Sequence, residues 1–139
     1  MSDSNKISIS TTVKADLDKV WEYWTAPKHI KKWNNASDDW LTSKAENDLK
    51  KSGRFTYRME AKDGSAGFDF GGTYTEVKTN EFLAYSLDDG RKVTVKFKEK
   101  DNKIKLTETF EPENENPIEM QRNGWQAILD NFKKYTEEN

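Results

Sequence analysis

The chain has 139 residues, 23 basic and 25 acidic side chains, a formal net charge of −2, one histidine and no cysteine. Without cysteine there is no disulfide, no thiolate zinc site and no cysteine nucleophile, and so even a charge balance argues against a nucleic-acid partner, which demands a basic excess or stripe. No apolar run approaches the roughly 20 residues of a membrane span, and residues 1–5 hold no signal-peptide core; one cytoplasmic domain over residues 1–139, without membrane insertion, is expected.

Taken in order, Ile7, Ile9, Thr11 and Val13 alternate with polar residues, the period of a half-buried strand. Asp16 is placed to cap a short helix in which Leu17, Val20, Trp21 and Trp24 follow an i, i+3, i+4, i+7 spacing, so that four large side chains face inward. Pro27 opens a second short helix, to about Trp33. Its Lys28, Lys31 and Lys32 read as a solvated face, and His29 as a lone surface histidine, because carboxylates alone would have to complete any metal site around it.

Residues 40–45 are read as a strand and 46–53 as a polar turn. Phe55, Tyr57, Met59 and Ala61 then alternate with polar residues up to the Asp63-Gly64 turn signal, and the return strand carries Phe68, Phe70, Gly72 and Tyr74 on one face. Gly71-Gly72 within it predicts a bulge or sharp bend. Three further strands follow: 82–87, 92–98 with Val93, Val95 and Phe97 on one face, and 103–110. On the last of these Glu108 shares a face with Ile104, Leu106 and Phe110. Two readings stand: the carboxyl points inward, where it must pair, hold its proton or reach water through a cavity, or a register slip turns it outward.

Residues 116–135 predict one long amphipathic helix, with Asn116 as N-cap, Pro117 at the first position and Glu119 completing a capping box. Ile118, Trp125, Ile128, Leu129, Phe132 and Tyr135 fall on one face. Gly124 reads as a point of close approach to another layer. Gln121 lies within the apolar arc, either as a buried, hydrogen-bonded amide at the polar end of a cavity or as a side chain that reaches solvent past the stripe.

A strand, two short helices, about six antiparallel strands and one long helix make an α+β protein with its helices segregated in sequence. A sheet curled around a helix leaves a space between the two layers, the usual setting for a small-molecule site. Five Trp, five Tyr and seven Phe supply walls for it.

Trp21, Trp24-Thr25, Pro27, Ile30 and Trp33, then Gly53-Arg54-Phe55, Asp63-Gly64, Gly72-Thr73-Tyr74 with Glu76-Val77, and finally Gly124-Trp125 with Leu129 resemble the activator-of-heat-shock-protein-90-ATPase homologue family. That family lies within the START-related, birch-pollen-allergen-like (SRPBCC) superfamily. Where it often has two glycines before the third strand, this chain has Ser52-Gly53. The resemblance implies a helix-grip fold: a curved antiparallel sheet of about seven strands around the C-terminal helix, with a hydrophobic cavity between them. Trp24, Phe55, Tyr57, Met59, Phe68, Phe70, Tyr74, Tyr85, Phe97, Phe110 and Trp125 are then the expected ligand-binding residues, with Glu108 and Gln121 as polar anchors.

The leading expectation is a non-catalytic carrier or sensor of a hydrophobic small molecule, such as a lipid, polyketide or isoprenoid-like compound. It is read as a monomer or homodimer, with no cofactor, no metal and no assigned catalytic residue. Two alternatives remain open. One is a cyclase- or hydrolase-like enzyme using Glu108 as general acid or base; the other is a protein-interaction module, with a chaperone or another protein as partner, using the Lys28, Lys31 and Lys32 patch.

Overall fold

Alternating patterns fold into seven strands, β1 (Ile7–Val13), β2 (Trp40–Asn47), β3 (Arg54–Ala61), β4 (Gly67–Lys78), β5 (Phe82–Leu87), β6 (Lys92–Lys100) and β7 (Lys103–Phe110), and three helices, α1 (Leu17–Thr25), α2 (Pro27–Trp33) and α3 (Ile118–Glu138). The computed structural model describes residues 6–139; residues 1–5, read above for the absence of a signal, lie outside the described residues. The strands form one sheet in the order β1-β7-β6-β5-β4-β3-β2. β2 to β7 are an antiparallel meander, and β1 closes it by pairing with β7, from Ile7 opposite Phe110 to Val13 opposite Ile104. Among the described residues no helix is long and apolar enough to cross a membrane.

Turn chemistry sets this register. Asp101 and Asn102 take φ of 54° and 63°, as a two-residue hairpin turn between β6 and β7 requires. Ser52 holds φ 70°, a left-handed conformation costly for a residue with a Cβ. Gly53 beside it is sterically required, since a Cβ there would lie 2.0 Å from the carbonyl oxygen of Asp48. Pairing is unbroken across Gly71-Gly72, contrary to the bulge expected there; the register shifts instead between Thr42 and Lys44 and between Tyr74 and Glu76. Gly72 serves a different purpose. The Phe55 ring lies over it, within 3.0 Å of where a Cβ would stand.

α3 packs across β1 and against α1 and α2. Leu129 and Phe132 are fully buried beneath it, and Phe132 meets Trp24 and Trp33 at centroid distances of 4.8 and 5.0 Å. This is a solid aromatic core, with Phe97 edge-on to Trp21 at 5.2 Å. His29 is not on the surface as its isolation in the sequence suggests. Its ring stacks on Tyr23 at 3.9 Å and its Nδ1 shares a hydrogen bond of 2.8 Å with the Tyr135 hydroxyl, tying α1, α2 and α3 together. Lys28, Lys31 and Lys32 are exposed, as read from the pattern.

The start of α3 departs from the sequence reading. Pro117, not Asn116, is the N-cap, and no capping box forms: Glu119 sits 3.5 Å from Arg122, while the Asn116 amide N–H and side chain both donate to Glu113. Ile118 is largely exposed rather than buried. Gly124 makes no close approach; a Cβ there would meet nothing within 4 Å.

Candidate functional site

A cavity of about 330 Å³ lies between the sheet and the N-terminal half of α3. Its floor comes from alternate positions of β3, β4, β5 and β7, because inward side chains recur every second residue on a strand. Phe55 is the hub, with ring centroids 5.1 Å from Tyr57, 5.4 Å from Tyr74 and 5.0 Å from Tyr85. The roof is α3, which presents Gln121, Trp125 and Ile128 at helical spacing. Trp125 stacks on Phe110 at 3.9 Å with the planes 8° apart and meets Phe70 edge-on at 6.3 Å, joining roof to floor.

Polar groups punctuate these walls. Glu108 points inward among Ile104, Leu106 and Phe110, and is 6% exposed. Burial alone pushes its carboxyl up to about 8, and no cation or hydrogen-bond donor among the described residues offsets that cost. Tyr85, within electrostatic reach of Glu108, Tyr57 and Tyr74, is likewise raised well above the usual phenol range, chiefly by burial. The Tyr74 hydroxyl donates to Asn47 Oδ1 at 2.7 Å, and burial takes its phenol to about 12. Such tyrosines stay neutral at any ordinary pH.

Gln121 is buried, and its amide is committed to the β7–α3 connector. Oε1 accepts from the Glu113 N–H at 2.9 Å, and Nε2 donates to the carbonyls of Glu113 and Asn116 at 3.1 and 2.8 Å. It is therefore a clasp on the cavity rim, and an anchor for a ligand only through what its oxygen has left. The outward-reaching alternative does not hold for this side chain.

Of the residues singled out from the sequence, all but Phe97 and Phe110 line the cavity. Phe97 belongs to the solid core beside Trp21 and Trp24, and Phe110 is wholly covered by the stacked Trp125. Trp24 reaches the cavity from that core, Met59 closes its far end where Asn34 Nδ2 and Thr42 Oγ1 approach the sulfur at 3.4 Å, and Phe68 stands at the rim, 49% exposed against Trp40. Sequence reasoning did not assign to the cavity Arg91, Glu113 in the connector, Asn116, which was read as a helix cap, or Trp33, Asn34, Leu83 and Ile128. A polar Gln121 inside an apolar stripe was the available sign that the connector folds back onto the helix. Among the described residues there is no cluster of His, Asp and Glu able to hold a metal ion.

A curled antiparallel sheet that grips a C-terminal helix over an aromatic-lined cavity is the helix-grip fold of the SRPBCC superfamily, a fold typical of ligand-binding domains. Within it, the family described as activator of Hsp90 ATPase homolog 1-like protein matches residues 14–137, and the chain belongs to that family. The solution structure of an AHSA1-like protein from Aeromonas hydrophila is 45% identical, with a TM-score of 0.91 over 96% of this chain and 92% of that one. A protein from Cytophaga hutchinsonii is 52% identical, with a TM-score of 0.84 over 97% and 94% of the two chains. A Chromobacterium violaceum protein, 22% identical with a TM-score of 0.86 over 97% and 99%, shares the fold. A search of curated proteins found no match to this sequence.

Proposed function

We propose that the protein is a non-catalytic carrier or sensor that encloses one hydrophobic small molecule, of lipid, polyketide or isoprenoid-like character, between its sheet and α3. The cavity carries this reading: its volume of about 330 Å³ lies within the range of small-molecule sites, and its walls are rings with a few placed polar groups. Packing such rings into a solid core would stabilise the fold more, as the Trp24, Trp33 and Phe132 cluster in the same chain illustrates. The test is native mass spectrometry of protein purified from its own host, followed by organic extraction. A stoichiometric apolar compound supports the reading. Protein that is empty under these conditions, and stays empty after incubation with a total lipid and metabolite extract, contradicts it.

Glu108 supports a second reading. A carboxyl held near 8 has the proton affinity of a general acid or base at neutral pH, so the same cavity could house a cyclase- or hydrolase-like reaction on its ligand. Equal turnover of the extracted compound by the wild type and Glu108→Gln would remove this role.

A further inference from the structure

The inward carboxyl of Glu108 is a charged-group precursor in a place built for none. On β7 it sits two residues from Phe110, over which Trp125 stacks, and its register partner Val95 pairs in turn with Leu83, which is two residues from Tyr85 on β5. Glu108, Tyr85 and Trp125 all line the same cavity. No hydrogen bond joins the Glu108 carboxyl or the Tyr85 hydroxyl to a described residue; burial alone raises the acid, and burial first, then the nearby Glu108, raises the phenol. A buried acid left in this condition costs stability that an apolar residue of the same size would not.

What a ligand must bring follows from what the walls lack. Arg91 is the cavity's one basic lining residue among those described, and it is engaged at the rim by Asp89, with Nε 2.8 Å from Oδ2. Inside, the Glu108 carboxyl and the Tyr85 hydroxyl stand without a hydrogen-bond partner among the described residues, and together they offer three acceptor oxygens, matching the three N–H donors of an ammonium group. The surrounding walls are aromatic, and the faces of such rings carry the negative lobe of a quadrupole that attracts cations. A carboxylate-bearing ligand would find no free cation inside to pair with, and would be repelled wherever Glu108 is ionised. A plain hydrocarbon would leave it unpaired.

We propose that the molecule held in the cavity is a hydrophobic organic amine, with Glu108 as the counter-ion of its ammonium group, the Tyr85 hydroxyl accepting a further hydrogen bond and the rings of Phe55, Tyr57 and Trp125 enclosing the rest. This rests on the ligand-binding reading above and narrows it to one chemical class. Glu108 gives up its proton to solvent as the ammonium arrives, so the bound pair is neutral overall and no covalent step is involved.

The probes are phenylbutylamine, phenylbutanol and phenylbutyrate, which share a tail and differ in the head group, titrated into the full chain by calorimetry with amide shifts mapping the site. The amine is expected to bind about tenfold tighter than the alcohol, with the carboxylate weakest of the three. Glu108→Gln, nearly the shape of the protonated acid, is expected to erase the amine's advantage, and Glu108→Asp to keep the preference at reduced affinity. The proposal is overturned if alcohol and amine bind alike, or if the preference for the amine survives in Glu108→Gln. Binding of the alcohol without an amine preference leaves the apolar-ligand reading standing and sinks this one alone; exclusion of all three probes from the cavity counts against both.

Discussion

Ile128 and Leu129 are neighbours on α3 that face two different interiors. Leu129 is fully buried in the solid region built from β1, β6, β7 and the short helices, where Trp21, Trp24, Trp33, Phe97 and Phe132 interlock. Ile128 is only partly buried, and lines the hollow region over β3, β4 and β5. Aromatic content is similar on the two sides. What differs is the helix cover: α1 and α2 pack against α3 beside Leu129 and Phe132, with α2 running on to β2 at the far edge of the sheet, while among the described residues no helix packs directly on β3, β4 or β5. Whether rings pack solid or line a void is thus set by what lies opposite them.

The largest expected contrast comes from truncation. Phe132→Ala removes a ring from the solid region and is expected to cost about 3–5 kcal/mol, whereas Ile128→Ala, beside existing space, is expected to cost about 1 kcal/mol; urea unfolding of both variants measures the difference.

Comparable in size is the dependence of stability on pH set by Glu108. Its carboxyl is held near 8 in the fold against an ordinary value of 4.5, so between these values the native state keeps a proton that the unfolded chain releases. Stability from this group is then complete below about 4.5 and falls by about 1.4 kcal/mol per pH unit until the folded carboxyl titrates near 8. Glu108→Gln removes the effect. The stability of the variant minus that of the wild type should therefore grow with pH through this window, and a flat difference would place the carboxyl in a polar setting the hollow region does not have.

Overpacking gives a smaller effect with the same logic. Leu129→Phe is expected to cost about 1–3 kcal/mol because no room exists for the added atoms, while Ile128→Phe fills the cavity, changes stability by less than about 0.5 kcal/mol and abolishes binding of apolar probes. The smallest changes lie outside both interiors. Gly124→Ala is expected to gain about 1 kcal/mol of helix stability, since its methyl meets nothing. Ser52→Gly is expected to gain about 1 kcal/mol by relieving the left-handed residue before Gly53. Thermal melts resolve both.

Much of the sheet was legible because alternation and turn pairs are local signals. β5 and β7 begin and end where the sequence places them, β5 stopping before Asp88-Asp89-Gly90 and β7 starting after the left-handed pair Asp101-Asn102. The register shifts were not legible, since they fall at residues 43 and 75, where no glycine marks them, while of the two glycines that drew attention Gly72 makes room for the Phe55 ring. At the cavity, inward rings and the inward Glu108 follow from strand period, yet nothing in that period separates Phe110, capped by Trp125, from Tyr85, which faces the space. The start of α3 failed for a tertiary reason. Asn116 has the right chemistry for a cap, but Gln121 holds its carbonyl and Glu113 its N–H and side chain, so the clasp took the place of the box.

Methyl-resolved NMR during titration with phenylbutanol tests the division of the interior most directly. Saturable shifts of the Ile128, Leu83 and Met59 methyls, with those of Leu129, Ile104 and Val13 unmoved, are the predicted result. Shifts spread evenly over both groups, or confined to the second, would contradict the assignment of ligand space to the hollow half.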